Sequence, residues 1–223
     1  MLNETLVIIP TLNEAKSIGD TIDSVKKNVP NSVVVVVDSY SEDDTAEIAL
    51  EHEAALISVP KGGKGIAMQH ALKQLTAWDI PYWAMIDGDN TYDASVIPEM
   101  IEYLNVADVV MGTRVYSNGS MTRTNKIGNW GLSLLATFLY GGMVHDICTG
   151  LWAFRKEVIT QFNITSPRFT LEADFYTQAK SNKCLILEVP VRYSPRKTGD
   201  TSKLKVSDGI DIGLFLIKER FSK

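Results

Sequence analysis

Short apolar runs alternate with polar and amphipathic segments along the first half of the chain. The apolar runs lie at residues 5–9, 32–37, 55–59, 82–86 and 108–112. The run at residues 32–37 contains five β-branched valines, which predicts a buried strand, and the other four apolar runs are predicted to be strands as well. Between the first two runs, Ile18, Ile22 and Val25 recur at helical spacing, and helical patterns also follow the second and third runs. This alternation predicts an α/β fold with a mostly parallel central sheet and helices on both faces.

Polar loops follow four of the predicted strands. Their sequences are PTLNE (10–14), DSYSEDD (38–44), KGGKG (61–65) and DGDNTYD (87–93). Right-handed crossovers place the carboxyl ends of parallel strands at one edge of a sheet, so these loops are expected to meet in a ligand-binding crevice. Beyond residue 112 the pattern is less regular and no linker is evident. The sequence therefore predicts a single domain over residues 1–223.

The charged residues are unevenly distributed. The 223-residue chain has 22 basic and 27 acidic residues, a formal net charge of −5, which argues against a nucleic-acid partner. Residues 1–179 contain 12 basic and 22 acidic residues, whereas residues 180–223 contain 10 basic and 5 acidic ones. The basic end indicates either a local anionic partner, such as a phosphate or a membrane surface, or a solvated tail.

Three features of the sequence bear on its location. Cys148 and Cys184 lack CxxC spacing and lie among apolar neighbours, which is typical of free thiols in a reducing compartment. The first residues lack the basic start of a signal peptide. The best apolar window, residues 130–144, contains three glycines and is shorter than the ~20 residues that span a bilayer. We therefore expect a cytoplasmic chain that does not cross a membrane by itself.

Carboxylates dominate the predicted crevice. The chain has neither the glycine spacing of a dinucleotide-binding motif nor that of a P-loop, which argues against dinucleotide oxidoreductases and ATPases. The acids at the strand ends are Glu14, Asp38, Asp87 and Asp89. Asp87 and Asp89 alternate along an extended segment, so both can face one Mg²⁺ or Mn²⁺ ion that neutralises a diphosphate. In isolation such a pair is more typical of a surface turn, but its position at a strand end favours a metal site.

Six ordered segments carry a resemblance to a known family. They are VIIPTLNEAKSI (7–18), VVVVVDSYSEDDTAEIA (33–49), KGGKGIAM (61–68), MIDGDNTYD (85–93), VVMGTRV (109–115) and CTGLWAFRKEVI (148–159). In this order and spacing they resemble the inverting family 2 glycosyltransferases of the GT-A fold. Within that family they most resemble the polyprenyl-phosphate sugar transferases, typified by the dolichol-phosphate mannosyltransferases. The resemblance extends over residues 5–205.

The resemblance implies a reaction and a division of the chain. The reaction is inverting transfer of a hexose from a nucleotide-diphosphate sugar, of the GDP-mannose or UDP-glucose type, to a polyprenyl or dolichyl phosphate. A nucleotide-binding half (1–112) would precede an acceptor-side half (113–205) and a C-terminal helix (206–223). A family 2 enzyme with a glycan or other non-lipid acceptor is the alternative, and a non-catalytic sugar-nucleotide-binding protein is a more distant one. A sugar nucleotidyltransferase would need a glycine-rich start, where PTLNEAKS stands instead.

The resemblance assigns residues to the donor and the metal. The nucleotide-sugar residues are Pro10, Leu12, Glu14, Asp38, Lys64 and Asp87, and the metal residues are Asp87 and Asp89. Asp89 is also expected to act in catalysis, and Thr91 stands where relatives can add a further ligand. Ser39 replaces a common second acid and Asp44 a usual glycine, which leaves the base open between uridine and guanosine. For Lys64, a solvated loop position is an equal alternative.

The resemblance also assigns residues to the acceptor phosphate. They are Arg114, Arg123, Lys126, Arg196 and Lys203. Arg114 is the principal one, because a planar guanidinium can donate to two phosphate oxygens. Arg123 and Lys126 are nearly as well explained as surface-loop residues. Glu172 matches an acid near the acceptor and joins Asp89 and Arg114 as a candidate for catalysis, with a helix-start role as its alternative.

The last segment predicts an amphipathic helix. Ile210, Leu214, Ile217 and Phe221 fall on one helical face. One interpretation docks this helix on the protein core. The other places it in a membrane interface, with the enzyme bound peripherally at the cytoplasmic face near its lipid acceptor. A separate membrane-anchoring subunit is the remaining alternative for attachment.

Overall fold

Seven strands form one sheet in the order β3-β2-β1-β4-β6-β5-β7. The computed structural model describes residues 5–166, 170–197 and 206–222. The strands are β1 (Thr5–Thr11), β2 (Ser32–Asp38), β3 (Ala55–Ser58), β4 (Tyr82–Met85), β5 (Val109–Tyr116), β6 (Trp152–Arg155) and β7 (Ile186–Tyr193). Strand β6 runs antiparallel to β4 and β5, and the other neighbours pair in parallel. The predicted mostly parallel sheet is confirmed.

Helices cover both faces of the sheet, as predicted. They are α1 (Ile18–Asn28), α2 (Thr45–Glu51), α3 (Lys64–Leu75), α4 (Ile97–Tyr103), α5 (Arg123–Tyr140), α6 (Lys156–Ile159), α7 (Leu171–Ser181) and α8 (Val206–Phe221). Helices α1, α2 and α4 pack on one face, while α3, α5, α7 and α8 pack on the other. Each face has its own buried apolar core.

The hydrophobic pattern does not predict β6. This strand has only four residues, and Trp152, Ala153 and Phe154 are all buried because helices cover both faces of the central sheet. Burial on both faces removes the alternation that marks a strand. Strand β5 is also longer than predicted, since it pairs with β7 over eight residues. Arg114 therefore lies on a strand, where its backbone is fixed by the sheet.

An aromatic cluster anchors α7 to the sheet. Phe175 of α7 lies 5.6 Å from Trp152 and 5.0 Å from Phe154, measured between ring centroids. All three side chains are buried, and burying each one contributes about 1.5–3 kcal/mol. Glu172 precedes Phe175 by three residues, so both lie on one side of the helix. Packing at Phe175 thereby holds Glu172 at the edge of the sheet.

Helix α8 docks on the core, in agreement with one of the two interpretations above. Ile212 and Leu216 are buried in the core that α5 and α7 share, and the hydroxyl of Tyr140 donates a 2.8 Å hydrogen bond to the carbonyl of Leu216. The predicted apolar stripe of α8 faces outward: Ile210, Leu214, Ile217 and Phe221 are exposed. Within the parts of the chain that the structure describes, no helix has the length and apolar content to cross a membrane.

Candidate active site

A cavity of about 910 Å³ lies at the carboxyl-terminal edge of the parallel strands. The loops that follow β1, β2, β3 and β4 all contribute to its lining, through residues such as Leu12, Ser39, Gly62 and Asp87. Strand β5, helices α5, α7 and α8, the end of β7 with the segment after it, and Cys148 before β6 also contribute to the wall. The four polar loops therefore meet at one site, as the order of parallel strands requires.

Lys64 bridges two carboxylates at one side of the cavity. Its Nζ lies 2.5 Å from Oδ1 of Asp87 and 2.5 Å from Oε1 of Glu172, and its side chain is 15% exposed. Burial alone would lower the pKa of Lys64, but the two carboxylates outweigh burial and raise this pKa above its usual value. Burial raises the pKa of Glu172, and Lys64 opposes that increase. Lys64 is thus a charged, fixed link between the β4 loop and α7.

Asp89 is buried and is contacted on both carboxylate oxygens. Oδ1 accepts hydrogen bonds from the backbone N–H and the hydroxyl of Thr91, at 3.1 and 2.6 Å. Oδ2 contacts the guanidinium of Arg196, whose Nη1 lies 3.8 Å from Oε1 of Glu14. Burial raises the pKa of Asp89, as does Asp87, while Arg196 opposes them. The two acids of the Asp87–Asp89 pair are therefore balanced by different cations of the same chain.

Arg114 is bound side-on by Asp146. Its Nε and Nη2 donate to the two Asp146 oxygens at 2.7 and 2.6 Å, and its backbone N–H donates to Oδ2 at 3.0 Å. The guanidinium also lies 5.8 and 5.3 Å from the ring centroids of Tyr116 and Tyr193, within cation–π range. A guanidinium has five N–H groups, so the three that Asp146 does not use lie on its terminal nitrogens. Arg114 lines the cavity and can still offer this end to a ligand.

Asp87 packs against the backbone of Gly150. A Cβ atom at residue 150 would overlap both oxygens of the Asp87 carboxylate. The backbone N–H of Gly150 donates a 2.6 Å hydrogen bond to the hydroxyl of Tyr92, which holds the glycine in this close position. Glycine is therefore the residue that leaves room for Asp87 beside Lys64.

Comparison with known proteins identifies the family of the chain that forms this cavity. The family model described as Glycosyl transferase family 2 matches residues 6–162. Dolichyl-phosphate hexose transferase of Haloferax volcanii is 31% identical over 218 residues, which cover 97% of this chain and 93% of that protein. Undecaprenyl-phosphate mannosyltransferase of Micrococcus luteus is 28% identical over 217 residues, or 92% and 88% of the two chains. The chain belongs to glycosyl transferase family 2.

The fold agrees with that assignment. The crystal structure of glucosyl-3-phosphoglycerate synthase from Mycobacterium tuberculosis, in complex with Mn²⁺, UDP and glucosyl-3-phosphoglycerate, superposes with a TM-score of 0.75. It covers 99% of this chain and 79% of the synthase at 21% sequence identity. This likeness shows the GT-A fold. The family and the fold that the six sequence segments indicated are both confirmed.

Most of the residues that the resemblance assigned to the donor line the cavity of this family 2 enzyme. They are Pro10, Leu12, Glu14, Lys64 and Asp87. Asp38 is buried and is not among the residues that line the cavity, and its carboxylate accepts hydrogen bonds from the backbone N–H and the hydroxyl of Ser41 at 3.0 and 2.5 Å. The structure thus gives Asp38 a contact that holds the loop after β2, while Ser39 faces the cavity.

The residues assigned to the acceptor phosphate are more dispersed. Arg114 and Arg196 line the cavity, but each is paired with an acid of the chain. Lys126 places its ammonium 4.8 Å from the centroid of the Tyr116 ring, and Arg123 is exposed at the start of α5. Lys203 lies outside the described residues. The structure therefore brings two of the five predicted cations into the cavity wall.

Sequence reasoning missed Asp146, Gly150 and Tyr193. Asp146 could have been found as the one acid in the apolar stretch that precedes CTGLWAFRKEVI. Gly150 lies inside that segment, although nothing local indicates its approach to Asp87. Tyr193 reaches Arg114 only because β7 pairs with β5, which the sequence pattern does not predict.

We predict that Gly150→Ala lowers the free energy of unfolding by about 1–3 kcal/mol, because the added methyl group displaces Asp87 from Lys64. Gly131→Ala is the matched control, since a Cβ at residue 131 of α5 meets nothing within 4 Å. The control is expected to be neutral or to stabilise by up to about 1 kcal/mol. Urea unfolding measures both variants, and equal stability would contradict the close approach of Gly150 to Asp87.

Removing Asp146 should leave a buried guanidinium without its carboxylate. Asp146→Ala is therefore expected to lower the free energy of unfolding by about 3–5 kcal/mol, and Arg114→Met added to it should recover part of the loss. Glu53→Ala, which removes an exposed partner of Lys26, should change stability by about 1 kcal/mol or less. Urea unfolding of the single and double variants measures the coupling, and additive losses would contradict the buried pair.

Proposed function

We propose that this family 2 glycosyltransferase carries out inverting transfer of a hexose from a nucleotide-diphosphate sugar to a polyprenyl phosphate. The observation that carries the proposal is the meeting of Asp87, Asp89, Arg114 and Arg196 in one cavity. The acids suit a cation-bound diphosphate, and the guanidinium groups suit a phosphate acceptor. Two relatives that align with nearly the whole chain are named for dolichyl and undecaprenyl phosphate, which supports the lipid acceptor.

Asp87 and Asp89 are the residues that would hold Mg²⁺ or Mn²⁺. In the structure Asp87 pairs with Lys64 and Asp89 pairs with Arg196. Both carboxylates therefore already have a positively charged neighbour. Among the described residues there is no group of three or more His, Cys, Asp or Glu side chains that could hold a metal ion. This fits Mg²⁺-type sites, where one or two carboxylates act together with substrate phosphates and water. When bound, the ion neutralises charge on the diphosphate leaving group.

Arg196 has to leave Asp89 before a ligand can use that carboxylate. The guanidinium would remain in the cavity, close to the residues that bind the diphosphate, and its N–H groups could then donate to phosphate oxygens. Arg196 would in this way exchange a carboxylate for a phosphate. Its assignment to the acceptor, made from the resemblance, is thus compatible with its contact to Asp89 in the structure.

Arg114 is proposed to bind the acceptor phosphate through its terminal N–H groups. Asp146 holds the opposite edge of the guanidinium, so the side chain is oriented before the acceptor arrives. Oriented donors lose little entropy on binding, which favours a defined position of the nucleophilic oxygen. A phosphate is anionic at neutral pH and needs little help from a general base. We therefore assign Glu172 to the positioning of Lys64 and not to proton transfer.

The lipid acceptor would place the reaction at a membrane surface. We propose that the chain attaches peripherally, at the cytoplasmic face, because the hexose donor is a nucleotide sugar and the acceptor phosphate lies among lipid headgroups. A membrane-anchoring partner subunit is the alternative route to the same place.

We predict that thermal unfolding in the presence of Mn²⁺ and either GDP-mannose or UDP-glucose will identify the base of the donor. A nucleotide sugar at 100 times its dissociation constant stabilises a protein by about 2.7 kcal/mol, and each kcal/mol raises the midpoint by roughly 2–4 °C for a chain of this size. We expect one nucleotide to raise the midpoint and the other to have a much smaller effect. If neither nucleotide sugar shifts unfolding up to millimolar concentrations, the donor class is wrong.

Asp89→Asn should abolish the reaction by removing one ligand charge. Even outer residues of metal sites contribute about 10–100-fold, so we expect transfer to undecaprenyl or dolichyl phosphate to fall by about 100-fold or more. The Mn²⁺-dependent part of donor binding should disappear as well. Asp79→Asn is the control, because Asp79 is fully exposed. Transfer is measured as labelled hexose in the lipid phase, and near-normal transfer by Asp89→Asn would rule out the proposed role of this acid.

A further inference from the structure

Two neighbouring helices present apolar side chains to the outside. Helices α5 and α8 pack together on one face of the sheet, and a Cβ at Gly213 of α8 would lie 3.5 Å from the Leu132 side chain of α5. Helix α5 exposes Ile127, Trp130, Leu134 and Phe138, and α8 exposes Ile210, Leu214, Ile217 and Phe221. We call these eight side chains the two-helix apolar face.

Both stripes of this face point away from the sheet. In α5 the buried positions are Asn129, Ser133 and Ala136, and the exposed apolar positions fall on the other side of the helix. In α8, Ile212 and Leu216 are buried in the same core, again opposite the exposed stripe. Because the helices bury their inner sides against one core, their outer sides form one continuous surface.

The apolar face is too extensive for a surface that meets only water. Phe138 is 85% exposed and Trp130 is 65% exposed, and α5 contains no charged residue from Ile127 to Tyr140. Contiguous exposed apolar patches of this kind mark interaction sites with proteins or membranes. An aromatic side chain such as Trp130 is favoured at the boundary between lipid headgroups and acyl chains.

The surroundings of the face favour a lipid bilayer as its occupant. Both helices begin at the cavity, which Gly128 and Leu132 of α5 line together with Gly209 and Ile212 of α8. Basic residues stand at both ends of the face: Arg123 and Lys126 at the start of α5, and Lys218 and Arg220 at the end of α8. Helix α8 also has three acidic residues, Asp208, Asp211 and Glu219, so four basic and three acidic side chains leave these surroundings with a small net positive charge. Anionic headgroups complement this charge, whereas a second copy of the same face would repeat it.

We infer that the two-helix apolar face is the membrane-docking surface of the enzyme and that it places the mouth of the cavity at the level of the lipid headgroups. The inference rests on the proposed function, which requires a lipid phosphate to enter that mouth. It extends the interpretation of the C-terminal helix, because α5 contributes two exposed aromatic side chains, Trp130 and Phe138, to the same face. Helix α8 alone would supply half of the surface.

Point substitutions are the suitable test. Truncation of α8 would remove Ile212 and Leu216 from the core and would confuse docking with unfolding. We choose Trp130→Gln with Phe138→Gln on α5, and Leu214→Gln with Phe221→Gln on α8. The control is Leu50→Gln with Val106→Gln, since both side chains are exposed apolar residues outside this face.

The measurement is co-sedimentation with vesicles of phosphatidylcholine and phosphatidylglycerol that contain no polyprenyl phosphate. We expect the unmodified chain to bind, with weaker binding at high salt. Because burial of one large apolar side chain is worth about tenfold or more in partition, each pair of substitutions on the face should weaken binding by at least about tenfold. The control pair should bind like the unmodified chain.

Three outcomes would overturn the inference. The first is that the unmodified chain does not bind vesicles, and the second is that the α5 pair binds them normally. The third is that the unmodified chain self-associates without binding vesicles and that the face substitutions abolish this self-association. The last outcome would assign the face to a second copy of the chain.

The face variants should also keep transfer to a short, water-soluble prenyl phosphate within about twofold while losing at least about tenfold on the long-chain lipid in vesicles. Failure of the unmodified enzyme on both acceptors would refute the proposed function and leave the vesicle result intact.

Discussion

Negative charge at the end of β4 is the constraint on which the cavity depends. Asp87 and Asp89 are withdrawn from water to different degrees, and two nearby carboxylates in such a place require cations to balance them. The chain supplies Lys64 from the start of α3 and Arg196 from the segment after β7. These contacts bring distant parts of the sequence to one strand end. Charge balance therefore also determines which side chains surround the cavity.

The first half of the fold could be predicted because its structure is local in the sequence. Strands β1, β2 and β3 each have their own apolar run, and each is followed by its own helical segment. The centre of the sheet is instead formed by segments that are distant in the sequence. Strand β6 is formed by four residues that pair with β4, about 70 positions earlier in the chain, and with β5. Such pairing depends on contacts between distant segments, and a four-residue run carries too little pattern to predict it.

The candidate site shows the same division between local and distant information. The Asp87–Asp89 pair and the PTLNE loop could be located because strand ends and motif order place them at the crevice. The partners of the long basic side chains could not be predicted in this way. Arg114 meets Asp146 and Arg196 meets Asp89 because packing brings their backbones together. An arginine in a motif thus indicates where positive charge lies, but its tertiary partner decides which of its N–H groups a substrate can use.

The proposed reaction requires both the charged cavity and the apolar face, because withdrawing the lipid chain of the acceptor from the membrane costs free energy. A polyprenyl phosphate carries its phosphate on a chain of five-carbon units, and withdrawing one such unit from a membrane into water costs about 4 kcal/mol. A hydrogen bond to a charged group contributes about 1.5–3 kcal/mol, so a single contact with Arg114 could not offset that withdrawal. A cavity that opens at headgroup level avoids the cost, because the lipid chain stays in the bilayer while the phosphate enters. Helices α5 and α8 line the cavity with their N-terminal halves and are apolar on their outer sides, so one pair of elements can meet both needs.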